Sequence, residues 1–471
     1  MAEVQSSART ESMQHQTMLI AAIAMGGFLS LYNSVALNVA IPTFVKVFHT
    51  DLSMVQWIMI SYTLMMGVLS PTAGYFADKF SCRNLFSFSM LGFAAVSLVS
   101  GFCNHIYLMI AVRLVQGALA AFIVPCSMMI IYQFVPYKKR ATFLTLQSMA
   151  MSSGPAIGPV LSGILLTCTD WHWVFWVNVP VALFTAWAVY KGVPYEVRNQ
   201  NEKLDYLSFV YVIFGSVLFL LSFNQMETWG VTSPGVWLML ASGAFLVALF
   251  VRRCLNSSHP VLNFRVLCVK DFTMALIINS CISMALCLVP FVLAIYFQDI
   301  LGYTPMMYGL ILLIPAIFSI AGGPVAQWLY QRIDSRIIIL TAMVLLAGGS
   351  LMLSRTTLAT GLGVVIFWLC FRYLGIGLSS MPITDYGMSS LSREEAGHGT
   401  SLINWFKMMA TSLSLSVFTM IMNMRVEHYA ESMDRMTAQM NGIGDVFLYS
   451  GMILLFNVAM TFSLKSRRNL R

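Results

Sequence analysis

The sequence predicts an all-α, polytopic membrane protein, and three observations carry that reading. Of its 471 residues, 58% are hydrophobic and only 10% are charged, where a soluble domain carries about 25% charged residues. Apolar runs near twenty residues long recur from one end to the other, and mean hydropathy is +0.77. These runs lack the period-two alternation over ~10 residues that marks a membrane barrel. In lipid each crossing must satisfy its own backbone hydrogen bonds, which makes every one a helix.

About fourteen crossings follow from these runs, with ends good to a few residues. They are 17–42, 52–75, 84–103, 105–127, 141–166, 171–191, 205–223, 232–251, 272–297, 304–329, 336–354, 358–382, 399–424 and 446–464. The first is too long for a signal-peptide core and runs straight into Asn38 and Pro42, so it is expected to stay as a helix. An even number of crossings puts both termini on one side. Twenty of the 27 Lys and Arg residues then fall in the loops of that side, four (Lys46, Arg355, Arg425, Arg435) fall opposite, and three are embedded. Both termini are therefore expected to be cytoplasmic. The net charge of +8 reports this topology and not nucleic-acid binding. The longest polar segments, 193–204, 252–271, 382–398 and 425–445, are too short to bury a soluble core. The nine cysteines form no CxxC pair, so neither a disulfide framework nor a metal site is read. No nucleophile, base and orienting group occur together, so no enzyme and no cofactor are expected. The 34 methionines suit adaptable helix packing or a plastic ligand surface.

The embedded cations are Arg113, Arg372 and Lys407. A charge at the membrane centre costs at least ~2.5–3.5 kcal/mol on insertion scales. Two readings account for them. In one, each is held by helix carbonyls, Gln116, Gln147 or Asn404; in the other, they face an anionic ligand, for which Arg offers a planar fork. Lys407 could also shed its proton on burial and carry it. Tyr32, Asn33, Gln116 and Asn178 would supply polar contacts in an otherwise apolar cavity. The carboxylates Asp170, Asp205, Asp271, Asp299, Asp385 and Asp445 all read as lying near membrane edges.

An internal repeat is visible, with the loop residues at a shift of 253. Gly74, Asp78, Lys79 and Arg83 after the second segment correspond to Gln327, Gln331, Arg332 and Arg336 after the tenth. Arg113, Gln116 and Gly117 in the fourth segment are echoed by Arg372 and Gly375 in the twelfth. The chain is therefore read as a tail 1–16, a six-helix half 17–191, two linking helices within 192–271, a second six-helix half 272–464 and a tail 465–471. Repeats around a midplane site are a common plan of secondary transporters.

Three local patterns carry more. The loop Gly74–Arg83 places one acid and two bases where charge-assisted bonds could tie helix ends and release them, or it is an ordinary basic cytoplasmic loop. The fifth segment reads Gly154-Pro155-Ala156-Ile157-Gly158-Pro159-Val160-Leu161-Ser162-Gly163. Its glycines allow close helix contact and its prolines break backbone bonds, which gives either tight packing or a hinge. The junction Trp171-His172-Trp173 to Asn178 and Pro180 has tryptophans at a helix end, read as interfacial anchors, followed by an Asn–Pro element inside the apolar run.

With these residues the chain resembles the major facilitator superfamily, in its fourteen-helix drug:proton antiporter family. Gly74–Arg83 resembles the superfamily's loop motif. Arg113, Gln116 and Gly117 are similar to its fourth-helix motif, and Gly154 to Gly163 to the antiporter motif of the fifth. Trp171 to Pro180 resembles the Trp-x-Trp-x-Phe…Asn-x-Pro element of the fourteen-helix group. Asn38 and Pro42 fit the end of the first helix. Gly399, Asn404 and Lys407 fit the thirteenth, with Lys where the family often has Arg. The resemblance covers nearly the whole chain. It implies the major facilitator fold, an inner-membrane monomer and alternating access, with drugs or amphiphiles exported against protons. It also implies substrate or coupling roles for Tyr32, Asn33, Arg113, Gln116, Gln147, Asn178, Arg372, Asn404 and Lys407. Conformational gating falls to Gly74, Asp78, Lys79, Arg83, Gly154, Pro155, Gly158, Pro159 and Gly163.

Three positions depart from the family pattern: Ser81 stands for Gly, Gln331 for an acid, and Asn33 for the first-helix Asp that is the expected protonatable partner of Arg113. Asn does not titrate, so Asp385, Asp205 and Asp170 are the substitutes for proton coupling. His172 and His105 are expected at the outer interface. The partners expected are a small-molecule substrate, protons and the lipid bilayer. Three functions remain: a drug exporter, an exporter or exchanger of an anionic metabolite or siderophore-like acid, and a transporter-like sensor without flux.

Overall fold

The computed structural model describes residues 2–50, 52–196, 205–230, 232–257, 260–392 and 394–464. Arg198, Lys203, Arg393, Lys465, Arg467, Arg468 and Arg471 lie outside that set, as do the side chains of Arg9, Asn38, Pro42, Pro155, Pro159 and Asp299. Among the described residues the regular structure is helical, and ten helices are long and apolar enough to cross a membrane.

The first compact unit is Met1–Leu204 with Ala396–Ser401. It contains α1 (Ala2–Val35), α2 (Ile41–Val47), α3 (Leu52–Leu69), α4 (Ala73–Phe80), α5 (Cys82–Ser100), α6 (Ile106–Phe134), α7 (Tyr137–Cys168), α8 (His172–Trp176) and α9 (Asn178–Gly192). The second unit is Asp205–Glu395 with Leu402–Arg471. It contains α10 (Tyr206–Trp229), α11 (Pro234–Asn256), α12 (Lys270–Ala294), α13 (Pro305–Tyr330), α14 (Ser335–Leu353), α15 (Leu362–Met388), most of α16 (Ala396–Ala430) and α17 (Arg435–Phe462). The partition passes through α16, whose first six residues cluster with the first unit.

The expected segments fall on these helices, and their ends differ in an instructive way. Helix α1 starts at Ala2, so the polar stretch 1–16 continues the first crossing as helix from that residue. Helix α15 runs to Met388, six residues past the expected end. Helices α16 and α17 take up most of the expected loop 425–445, and Asp434 caps α17 by accepting from the Thr437 N–H at 3.0 Å. Apolarity stops where lipid stops, but the i→i+4 ladder continues until a cap ends it.

Glycines set the closest helix pairs. A Cβ on Gly117 of α6 would lie 2.3 Å from the Tyr62 carbonyl oxygen of α3, and one on Gly377 of α15 would lie 2.1 Å from that of Ser319 on α13. Only a missing side chain permits that approach. Prolines inside α6, α13 and α15 are accommodated within otherwise continuous helices. In the first unit an apolar cluster around Phe44, Val55, Ile58, Met109 and Phe175 fills the space between α1, α3, α6 and α8.

Trp171 belongs to that cluster and is 5% exposed, edge-on to Phe44 at 5.6 Å between ring centroids. Its expected place as an interfacial anchor is corrected: the break between α7 and α8 turns its ring inward. Trp173, two residues on, faces outward as expected.

Candidate functional site

Arg113 organises the interior of the first unit. Its guanidinium is fully buried and lies 4.1 Å from the Tyr62 ring centroid. Nε donates to the Ile58 carbonyl at 3.0 Å, Nη1 to Gln116 Oε1 at 2.7 Å and Nη2 to the Asn33 carbonyl at 3.0 Å. Local chain geometry supplies the last acceptor. The α-helical turns of α1 end at Val35 and tighten into a 3-10 turn over Ala36–Ala40, which takes the Asn33 carbonyl out of the regular ladder. Gln116 passes the chain on, donating from Nε2 to Ser97 Oγ at 2.8 Å.

The Asn33 side chain points elsewhere. Its Nδ2 donates to Asn178 Oδ1 and Asn178 Nδ2 donates back to Asn33 Oδ1, both at 3.1 Å. This reciprocal amide pair joins α1 to α9. Next to it, Tyr32 and Ser162 share a hydrogen bond of 3.3 Å between α1 and α7. Arg113, Gln116, Asn33, Asn178 and Tyr32 thus draw α1, α3, α5, α6, α7 and α9 into one polar core. Gln147 is not part of it. It is buried on α7 beside Gly27, and among the described residues its Nε2 has no hydrogen-bond partner.

The second unit repeats the plan with one change. Arg372, also fully buried, donates from Nε to Ser350 Oγ at 2.8 Å and from Nη2 to the Ala285 carbonyl at 2.6 Å. Ser350 matches Ser97 at the shift of 253, and the Ala285 carbonyl stands for that of Asn33. Gln116 lies three residues after Arg113, but Gly375 lies three after Arg372, and among the described residues Arg372 Nη1 has no partner. Asn404 is buried on α16, and Lys407, one turn on, is half-buried.

Asp385, expected near a membrane edge, is buried in the protein close to the end of its helix. It is 3% exposed on the extended end of α15, where Tyr330 of α13 donates to Oδ2 at 2.5 Å. Hydropathy ends the segment at 382, and the helix carries on past Asp385 to Met388. Asp445 is likewise within α17 and pairs with Arg425 of α16 at 2.5 Å. Asp205 stays outside as the cap of α10, and Asp170 bonds His172 at 2.9 Å next to α8.

The residues expected to gate meet the start of α16. The Gly74 N–H, near the start of α4 and so without a partner in its own helix, donates to Ser401 Oγ at 2.9 Å. A Cβ on Gly74 would lie 3.0 Å from the Gly397 carbonyl oxygen. Asp78 Oδ2 lies 3.9 Å from His398 Nε2, close to the positive end of α16. Lys79 sits over the Tyr75 ring, and Arg83 is held between the rings of Tyr190 and Tyr195 at 4.7 and 5.0 Å. Ser81, between them, has φ +74° and ψ 136°, a conformation suited to glycine. On α7, Gly154 and Gly158 face α1, where added Cβ atoms would lie 3.0 Å from the Tyr32 nitrogen and 3.1 Å from Val35 Cγ2, while one on Gly163 would meet nothing within 4 Å.

Comparisons agree with this architecture. Residues 23–415 match the family model described as Major Facilitator Superfamily. The chain is 28% identical over 421 residues to the uncharacterised MFS-type transporter YhcA of Bacillus subtilis, covering 88% of this chain and 79% of that one. It is 26% identical over 444 residues to the lincomycin resistance protein LmrB of Listeria monocytogenes, covering 93% and 94%. Among solved structures, the proton:xylose symporter XylE superposes with a TM-score of 0.68 at 13% identity, covering 96% of each chain, a likeness of fold.

Proposed function

The chain belongs to the Major Facilitator Superfamily, a family of multi-pass membrane transporters, and from that premise we propose that it exports drugs or other amphiphilic compounds across the inner membrane in exchange for protons. It works as a monomer by alternating access, with both termini on the cytoplasmic side. The observation that carries the choice of cargo is that every nitrogen of Arg113 already has a partner within the protein. With Nε, Nη1 and Nη2 each donating to the protein itself, this buried cation needs no anionic cargo to complete it. The resistance protein among the relatives supports the same direction.

Proton coupling requires a titratable group whose proton affinity changes between states. Asn33 does not titrate and is tied to Asn178. Asp385, buried against Tyr330, is the carboxylate that takes the role in this reading. Gln147 Nε2 is the buried donor best suited to a polar atom of the cargo.

A second reading, exchange of an anionic metabolite, is favoured by one observation: the buried Nη1 of Arg372. Proteoliposomes holding a pH gradient decide between the two. Proton release on adding a lipophilic cationic dye, lost in Asp385→Asn, supports the drug:proton exporter. Release on adding a tricarboxylate alone, lost in Arg372→Gln, overturns it in favour of the anion. Dye-driven release that survives in Asp385→Asn removes Asp385 from the mechanism.

A further inference from the structure

Helices α10 and α11 contribute nothing to the polar cores, yet their basic end is built with care. Arg253 Nε donates to both oxygens of Asp205, at 3.0 and 2.7 Å, and ties the end of α11 to the start of α10. Ser208 Oγ adds a third bond to the same carboxylate at 2.6 Å. Beside this tie lies an open cleft of about 460 Å³, lined in part by Tyr211, Leu249, Arg252, Asn256 and Ser257. Asp205 neutralises Arg253. Arg252 is exposed and, among the described residues, makes no ion pair. Among the described residues the cleft thus holds one guanidinium without an ion pair, flanked by the polar groups of Tyr211, Asn256 and Ser257.

An apolar track leads to it. Of the ten spans, α11 is the least enclosed by protein, with 17% of its window buried. Leu238, Ala241, Phe245 and Ala248 are exposed, and spacings of 3, 4, 3 and then 4 to Arg252 put all five on one face. Leu238 is 71% and Phe245 63% exposed. Fourteen residues of helix span about 21 Å, the depth of one leaflet and its headgroups.

We infer that this cleft binds the phosphate of an anionic phospholipid, with its acyl chains laid along the outward face of α11. An arginine fork, neighbouring hydroxyl and amide donors and a continuous apolar stripe match a charged head on a hydrocarbon tail. A free phosphate would use the head of the site and leave the stripe idle. A zwitterionic lipid would bring an ammonium to a guanidinium with no gain of charge. The inference stands apart from the cargo and coupling proposed above, since it involves neither.

The test is lipid retention by the full-length protein in detergent, read by native mass spectrometry after delipidation and addition of phosphatidylglycerol, phosphatidylethanolamine or inorganic phosphate. The wild type should keep phosphatidylglycerol over phosphatidylethanolamine, and Arg252→Gln should lower that retention about tenfold, the effect of a lost charge-assisted bond. Arg265→Gln, an exposed basic control whose side chain bonds the Leu255 carbonyl, should leave it unchanged. Ala248→Trp, which blocks the stripe and keeps the charge, should also lower it, and carries the test if Arg252→Gln fails to fold. Equal retention of the two lipids, equal loss in the Arg252 and Arg265 variants, or displacement of phosphatidylglycerol by phosphate alone would each overturn the inference.

Discussion

Ser81 holds a left-handed backbone conformation that an L side chain resists, and its hydroxyl accepts only a 3.5 Å bond from the Glu196 N–H among the described residues. Outliers of this kind cost about 1–3 kcal/mol. Ser81→Gly should therefore raise the apparent unfolding temperature in detergent, and an unchanged or lower midpoint would mean that the loop holds no strain. The amide pair makes the opposite case. Asn178→Leu leaves Asn33 facing an apolar group and should cost about 1–3 kcal/mol. Asn33→Asp keeps the shape, adds a titratable group beside Asn178, and should give transport a new pH dependence. A pH profile like the wild type's would show the position to be structural only. Asp205 carries a pH effect of its own. Its bond from Arg253, with Ser208 behind it, holds its carboxyl below the usual range. The folded-state value lies under the unfolded one, so the tie contributes stability above about pH 4 and loses it as pH falls through the depressed value. Hydrogen exchange at the open end of the α10–α11 hairpin should speed up on acidification in the wild type and be fast at every pH in Asp205→Asn. Some of this was legible: Arg113 and Gln116 share a helix at a spacing of three, which brings their side chains together. The Asn33–Asn178 pair spans 145 residues, and no local pattern announces it.

At the scale of elements, the fourteen segments were legible because lipid imposes both length and helicity. Their ends were not, because the caps that stop α15 and start α17 lie in polar sequence beyond the apolar run. That is why the burial of Asp385 was not legible. The α7 motif was legible as close packing, but the sequence treats its glycines alike and the structure does not. Gly154→Ala should separate α1 from α7 and reduce both stability and transport, because the atoms in its way, the Tyr32 nitrogen and the Phe28 carbonyl oxygen, belong to backbone. Gly163→Ala should pack without penalty. Parallel thermal-shift and dye-efflux measurements on the two variants check the contrast, and equal loss in both would make the motif's role something other than helix contact.

At the scale of the molecule, the repeat reappears as two arginines 259 residues apart, each reaching a first-helix carbonyl, and two third-helix serines 253 apart, one bonded to Arg372 itself and the other to Gln116 beside Arg113. The serines were invisible in the sequence, since isolated hydroxyls in apolar helices are common. The chain returns once to its first unit, where residues 396–401 dock on α4. Gly74→Val should push against the Gly397 backbone, lift this contact and lower the transport rate with protein still in the membrane. Wild-type flux in that variant would mean the contact does no gating.

Among the described residues, Arg113 is the one charged side chain buried in the first unit, and its neighbours Asn33, Asn178 and Gln116 are neutral amides. Arginine keeps its proton in proteins, and amides have none to exchange. The interior of this unit therefore carries the same single positive charge at every physiological pH. A fixed charge is a voltage sensor as well as a structural centre: carried across the full field, it is worth about 2.3 kcal/mol per 100 mV. Whatever fraction of the field Arg113 traverses as the protein works, membrane potential biases that movement, and it does so independently of any proton gradient.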